Sequence, residues 1–209
     1  MLITAGPTHE PIDAVRYIGN RSSGRLGVCL AEAARDAGWQ VTLLLGPAAL
    51  TPPKGVRTLR FQSAADLAAL LKERFPRCDV LVMAAAVADY RPARARRRKL
   101  ARRGRKLLLE LEPTPDLVAT CAVRKRPGQR IIGFALEEEA KLAARARAKL
   151  RRKGLDAIVA NPLETMGADR IRAVVYAADG RTVRPAGGQR GLTKAAFARW
   201  LVRWCGAAT

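Results

Sequence analysis

Apolar positions recur along this chain in two alternating rhythms. Short continuous apolar runs, closed by glycine, proline or a polar turn, mark buried strands, and apolar residues three and four apart mark helices. The strand runs are Met1 to Thr4, Trp39 to Leu45, Val56 to Phe61, Asp79 to Val87, Leu107 to Leu111, Arg130 to Leu136 and Leu155 to Asn161. Helical spacing predicts Leu26 to Ala37, with Leu30 and Ala33/Ala34 on one face and Gly38 at its end. It also predicts Ala64 to Phe75 behind a Ser63 cap, and a helix starting at Thr114-Pro115-Asp116 with Thr114 as cap and Pro115 in first position. Glu137 to Lys153 reads as a helix that is acidic at its start and basic at its end, matching the helix dipole. Arg172 to Tyr176 and Thr182 to Arg184 flank Ala178-Asp179-Gly180-Arg181 as a hairpin, and Thr193 to Trp204 is a closing helix. Strand and helix alternate up to the hairpin. The pattern predicts an α/β chain: one domain over residues 1–209, a Rossmann-like doubly wound and mostly parallel sheet with a C-terminal β-hairpin.

One stretch breaks the rhythm. Ten of the sixteen positions from 91 to 106 are basic: Arg91, Arg94, Arg96, Arg97, Arg98, Lys99, Arg102, Arg103, Arg105 and Lys106. With no steady apolar stripe, it is expected to be a solvated basic flap. The formal net charge of +21 favours anionic partners such as phosphorylated metabolites, nucleotides or nucleic acid, without choosing among them. Aromatic residues make up only 5% and are not interleaved with the basic run, so a nucleic-acid module would lack stacking platforms. Cys29, Cys78, Cys121 and Cys205 form no CxxC pair and read as small apolar residues of a reducing compartment. His9 is the only histidine, which excludes a His-based metal site and leaves no spare His for a Ser-His-Asp triad. No apolar stretch reaches membrane-spanning length, and the chain is expected to be cytoplasmic.

The longest polar interruption runs from Gly6 to Gly27, between the first strand and the first helix. A glycine- and serine-rich turn there offers free backbone N–H groups and the positive end of a helix to an anion. Two fingerprints fail on it. Gly19 and Gly24 have P-loop spacing, but Arg25-Leu26 stands where Lys-Ser/Thr is needed. Of GxGxxG only Gly24-Arg-Leu-Gly27 survives, and the second strand ends Leu45-Gly46-Pro47 with no acid for a ribose. A nicotinamide-dependent oxidoreductase is therefore a weak alternative.

The combination of motifs is more specific. Thr4-Ala-Gly-Pro-Thr8, Glu10-Pro-Ile-Asp13, Val15-Arg-Tyr-Ile18, Asn20-Arg-Ser-Ser-Gly24 and Ala84-Ala-Ala-Val-Ala-Asp89-Tyr-Arg-Pro92 occur together. They are joined by Lys99, Pro115-Asp116, Gly133-Phe-Ala135 with Glu137, and Lys149-Leu-Arg-Arg-Lys153-Gly-Leu-Asp156 leading to Val159-Ala-Asn161. This set resembles phosphopantothenoylcysteine synthetase, the phosphopantothenate–cysteine ligase of coenzyme A synthesis, in a stand-alone form without the fused flavin-dependent decarboxylase domain. The resemblance runs in register from Met1 to about Tyr176, and the hairpin and last helix fit it.

The resemblance implies a reaction and a set of roles. CTP, or ATP, activates the carboxylate of 4′-phosphopantothenate as an acyl-nucleotidylate with release of pyrophosphate. The amine of L-cysteine then displaces the nucleotide. Magnesium is implied with the triphosphate, its protein contacts unassigned; flavin is not implied for this chain. By position, Lys99 stabilises charge on the α-phosphate and acyl intermediate, and Asn20 holds that intermediate. Asp89 contacts the ribose hydroxyls. Met83, Ala84 and Ala85 offer backbone to nucleotide and substrate. Pro115, Asp116, Leu117, Val118 and Phe134 line the base pocket, while Lys149 and Lys153, four apart on one helix face, reach the triphosphate. Arg16 and Ser22 match positions that hold the substrate phosphate across a dimer interface, so a homodimer with shared sites is implied. A separate decarboxylase is a further expected partner; a membrane or a specific nucleic acid is not. Two departures stand out. Thr114 replaces the asparagine usual before Pro-Asp, and the arginine-rich flap offers Arg98 and Lys106 as substitutes for Lys99.

Overall fold

The first strand, β1 (Leu2–Ala5), is buried along its whole length. In the computed structural model, which describes residues 1–102, 104, 106–187 and 190–207, it forms the centre of the molecule. Arg103 and Arg105 of the basic flap lie outside the described residues. After β1 the chain turns at Gly6, whose φ of +82° only glycine adopts without strain. The long opening loop contains a hairpin that periodicity did not reveal, β2 (His9–Pro11) paired with β3 (Tyr17–Gly19). Its strands are three residues each, too short for a period, and His9 stacks on Tyr17 with ring centroids 3.6 Å apart.

Helix α1 (Arg25–Asp36) follows Gly24 and lies so close to β1 that a Cβ on Gly27 would sit 2.3 Å from the Ala5 Cβ. Next come β4 (Thr42–Leu45), β5 (Arg57–Arg60) and α2 (Ala64–Arg74). Ser63 caps the start of α2, as the sequence predicts, and Asp66 closes it into a reciprocal capping box. Strand β6 (Val80–Met83) is shorter than the apolar run around it, because residues from Ala84 onward leave the sheet.

The flap departs from β7 (Tyr90–Pro92) and returns through β8 (Leu111–Pro113), its antiparallel partner. The strand expected over Leu107 to Leu111 is thus displaced: Leu107, Leu108 and Leu109 are exposed, with Leu108 90% accessible, and only Leu111 pairs. A second correction concerns α3 (Leu117–Val123). Its cap is Asp116, whose Oδ1 accepts from the Ala119 amide at 3.2 Å, not Thr114, and Pro115 precedes the helix. Thr114 instead donates its hydroxyl to the Ala88 carbonyl, and its amide bonds the Asp89 carbonyl at 2.9 Å.

The chain continues through β9 (Arg130–Glu137), α4 (Glu139–Arg152), β10 (Ala157–Pro162) and a short β11 (Arg170–Ile171). Then β12 (Val174–Ala177) and β13 (Thr182–Val183) form the predicted hairpin, and β14 (Leu192–Thr193), paired with β11, leads into α5 (Lys194–Ala207).

The main sheet has eight strands in the order β5-β4-β1-β6-β9-β10-β12-β13. The first six are parallel and in doubly wound order, and the final hairpin is antiparallel. Alternate residues separate two cores. Ile3, Leu43, Val82 and Val159 face α1 and α5, while Leu2, Leu44, Leu81 and Ile158 face α2, α3 and α4. Each such buried aliphatic side chain contributes about 1.5–3 kcal/mol. The direction of winding reverses between β1 and β6, which opens a crevice at their carboxyl ends.

Candidate active site

The crevice is built on small side chains and two buried hydroxyls. Residues Ala84 to Ala88 leave the end of β6 without bulk, so a ligand can approach their backbone. Thr4 and Thr8, both fully buried, fix that segment. The Thr4 Oγ1 accepts from the Ala85 amide at 3.0 Å and the Thr8 Oγ1 from the Ala88 amide at 3.0 Å. The Ala86 amide donates to the Gly6 carbonyl at 2.9 Å, and the Thr8 amide to the Ala86 carbonyl at 3.2 Å. Sequence reasoning assigned no job to either hydroxyl. Their signal was present, as the two threonines that bound the Thr4-Ala-Gly-Pro-Thr8 motif.

Two cavities meet over this segment. The larger, about 700 Å³, lies on the α1/α5 side between Asn20–Gly27 and Ala84–Val87. Asn20, Ser22, Ala84, Ala85, Asp89, Phe134 and Lys149 all line it, as do Glu137, Asn161, Thr165 and Lys194. The Asn20 amide nitrogen donates to the Val87 carbonyl at 2.9 Å, which holds the side chain at the rim. The Ser22 hydroxyl accepts from the Gly24 amide at 3.3 Å, steadying the turn into α1.

The smaller cavity, about 300 Å³, lies on the α3/α4 side. Met83, Pro115, Asp116, Leu117, Val118 and Lys153 line it, and Ala85, Val87, Asp89, Phe134 and Lys149 border both cavities. Its lysines already have partners. Lys149 donates to the Phe134 carbonyl at 2.8 Å, and Lys153 pairs with Asp116 at 2.8 Å. Burial lowers the Lys149 pKa, and the neighbouring Lys153 lowers it further. For Asp116, burial acts to raise the pKa, but the hydrogen bonds from Lys153 and the Ala119 amide outweigh it and hold the carboxyl below its ordinary value.

Arg16 and Lys99 line neither cavity. Arg16 sits in the β2–β3 turn, where its guanidinium pairs with Asp13 at 2.5 Å and donates to the Leu100 carbonyl at 2.8 Å. The buried Asp13 carboxylate also accepts from the Val15, Arg16 and Leu100 amides at 2.9, 2.8 and 3.0 Å. The Arg96 amide reaches the Ile12 carbonyl at 2.9 Å. These bonds seat the flap on the hairpin turn and leave Lys99 exposed beside it. Among the described residues, no group of three or more His, Cys, Asp or Glu side chains gathers to hold a metal ion, and no helix is long and apolar enough to cross a membrane.

Comparison with known proteins agrees with this geometry. Residues 1–205 match the family described as the DNA/pantothenate metabolism flavoprotein C-terminal domain. A cysteine/cysteine sulfinic acid decarboxylase from an unknown prokaryotic organism is 43% identical over 169 residues, 80% of this chain and 47% of that protein. The coenzyme A biosynthesis bifunctional protein CoaBC of Mycobacterium bovis is 45% identical over 176 residues, 77% of this chain and 41% of that protein. The chain thus spans less than half the length of these relatives. The crystal structure of the C-terminal domain of a CoaBC protein superimposes with a TM-score of 0.82 at 36% identity, covering 98% of this chain and 92% of that one. With the doubly wound sheet and the paired cavities at its switch point, the chain belongs to the DNA/pantothenate metabolism flavoprotein C-terminal domain family.

Proposed function

We propose that this chain is a phosphopantothenate–cysteine ligase of coenzyme A biosynthesis, one domain that activates 4′-phosphopantothenate with CTP or ATP and joins it to L-cysteine. The observation that carries the reading is the pair of cavities joined over Ala85, Asp89 and Phe134. One side offers a pocket of base size with lysines at its edge, and the other a larger, glycine-lined space for phosphates and an acyl chain. Membership of a family that includes the carboxy-terminal part of a coenzyme A biosynthesis protein supports it.

The roles follow from placement. A base beside Pro115, Leu117 and Val118 leaves its ribose near Asp89, and its triphosphate passes Phe134 and Lys149 into the larger cavity. There the pantothenate carboxylate attacks the α-phosphorus, and the bond to the β-phosphate oxygen breaks to release pyrophosphate. Asn20 at the rim, together with Ala84 and Ala85, holds the acyl-nucleotidylate. The cysteine amine then attacks the acyl carbon, loses a proton and expels the nucleoside monophosphate. Positive charge fixed in advance stabilises both steps. Asp89 and Glu137 are the acids lining the larger cavity, so a magnesium ion would be held mainly by triphosphate oxygens, with these carboxylates nearest. Lys99 joins the site only when the flap leaves its seat on the hairpin turn.

We also propose a homodimer. Val15, Tyr17, Tyr90, Leu107 and Leu108 are exposed apolar side chains on the two small hairpins and the segment entering β8, a surface that a second copy would cover. Arg16 in the same region would then reach the partner's substrate. The free cysteines fit a cytoplasmic setting, a reducing compartment in which thiols stay unpaired.

The test is product formation. Protein incubated with phosphopantothenate, cysteine and either CTP or ATP should release pyrophosphate and form phosphopantothenoylcysteine, detected by mass. Absence of phosphopantothenate-dependent pyrophosphate with both nucleotides contradicts the reading.

A further inference from the structure

Lys194, the first residue of α5, is 92% buried, and neither composition nor motif drew notice to it (its relative accessibility is 8%). It lines the far lobe of the larger cavity, with Arg25, Gly27, Met166 and Gly167. Among the described residues its amine has no hydrogen-bond or ion-pair partner. The nearby acid, Asp169, is bound by the Arg25 guanidinium. Its ammonium borders the cavity rather than being sealed away, since Arg74 Nε is the one sealed and unbonded side-chain nitrogen or oxygen among the described residues, so an anion in the cavity can meet it directly.

The lobe is positive from other sources as well. Helices α1 and α5 both begin there, presenting the positive ends of their dipoles. At the start of α1, the Gly24 amide is taken by the Ser22 hydroxyl and the Arg25 amide by the Ser23 hydroxyl at 3.4 Å. The Leu26 and Gly27 amides have no such acceptor among the described residues, and both residues line the cavity. Burial and Arg25 together lower the Lys194 pKa, against Asp169 and Cys29, which raise it. An incoming anion would reverse that shift.

We propose that Lys194 is a binding residue for the two terminal phosphates of the nucleoside triphosphate, and so for the pyrophosphate that leaves. Location selects this end of the nucleotide. A base in the α3/α4 cavity places the α-phosphate over the shared residues at the sheet edge. The phosphates farthest from the base then fall toward α1 and α5, where none of the smaller cavity's lining residues reaches. Naming the anion as pyrophosphate rests on the ligase reading above; the positive lobe itself does not.

Calorimetric titration with inorganic pyrophosphate tests the assignment on the intact chain. The unaltered protein binds pyrophosphate, Lys194→Met weakens it at least ~tenfold (about 1.4 kcal/mol), and Lys194→Arg, which keeps the charge, stays within about threefold. Binding of CMP and AMP, which lack the terminal phosphates, is unchanged in both variants. Circular dichroism checks folding, and Lys194→Gln replaces the methionine variant if that one is not folded. Pyrophosphate that fails to bind the unaltered protein, or binds the neutral variants equally well, overturns the role, as does an equal loss of CMP. Pyrophosphate binding that depends on Lys194 in a protein without phosphopantothenate-dependent turnover upholds Lys194 and removes the ligase reading instead.

Discussion

The two sides of the sheet's carboxyl edge hold positive charge in opposite ways. On the α3/α4 side the lysines are satisfied in advance: Lys153 by Asp116 and Lys149 by the Phe134 carbonyl. On the α1/α5 side the charge stands open, as backbone amides at the start of α1 and the unpartnered Lys194. A ligand on the first side exchanges existing bonds, so little is lost when the pocket is empty. A ligand on the second side completes bonds that are otherwise missing, and there an anion gains most. The arrangement suits a molecule with a neutral base at one end and its densest charge at the other.

Variants on the α1/α5 side should be the more damaging. Gly27→Val places a side chain where a Cβ alone would lie 2.3 Å from the Ala5 Cβ. Either α1 or β1 must shift, and denaturant unfolding should show a loss of about 2–3 kcal/mol. Stability within about 0.5 kcal/mol of the unaltered protein would mean that the close approach of α1 is not required. Thr4→Val comes next. It leaves the half-buried Ala85 amide without its acceptor, at a cost of about 1 kcal/mol, and loosens the segment that both cavities share. Thermal unfolding and nucleotide affinity should fall together; affinity that falls alone would detach the hydroxyl from the frame.

How far these features could be read from sequence follows the same division. The strands are legible because runs such as Val80–Met83 and Ala157–Pro162 are apolar on both faces, the mark of a covered parallel sheet. Ser63 announced α2 through local chemistry alone. The start of α3 was misplaced because Thr114, Pro115 and Asp116 all suit a helix entrance. A tertiary bond to the Ala88 carbonyl drew Thr114 away from the cap. Leu107 to Leu109 satisfied the strand pattern but pair with no strand among the described residues. On the α3/α4 side the pocket residues stand in motifs, and Pro115 to Val118, Phe134, Lys149 and Lys153 line one cavity. Lys194 carries no such mark, and although Thr4 and Thr8 stand in a motif, the amides that their hydroxyls hold are seen only in three dimensions.

Variants on the α3/α4 side should spare stability. Removing half of the Lys153–Asp116 pair with Lys153→Met should change unfolding by less than about 1 kcal/mol, because Asp116 is 43% exposed. It should weaken nucleoside mono- and triphosphates alike, unlike Lys194→Met, and titration of both nucleotides checks the contrast. The smallest effect concerns pH. The Lys149 pKa lies below its ordinary value, so the free protein loses that charge as pH rises through the lowered pKa. A bound phosphate favours the charged form, so nucleotide affinity should fall a few-fold (~0.5–1 kcal/mol) as the solution becomes alkaline. In Lys149→Met that part of the slope should vanish; an unchanged slope would assign it to other groups.

The central claim is that one nucleotide straddles the sheet edge. A crystal structure with a non-hydrolysable analogue of CTP or ATP tests it directly. The base should lie beside Pro115 to Val118, the ribose near Asp89, and the terminal phosphates against Gly24 to Gly27 and Lys194. A nucleotide lying wholly on one side of the edge would contradict the account.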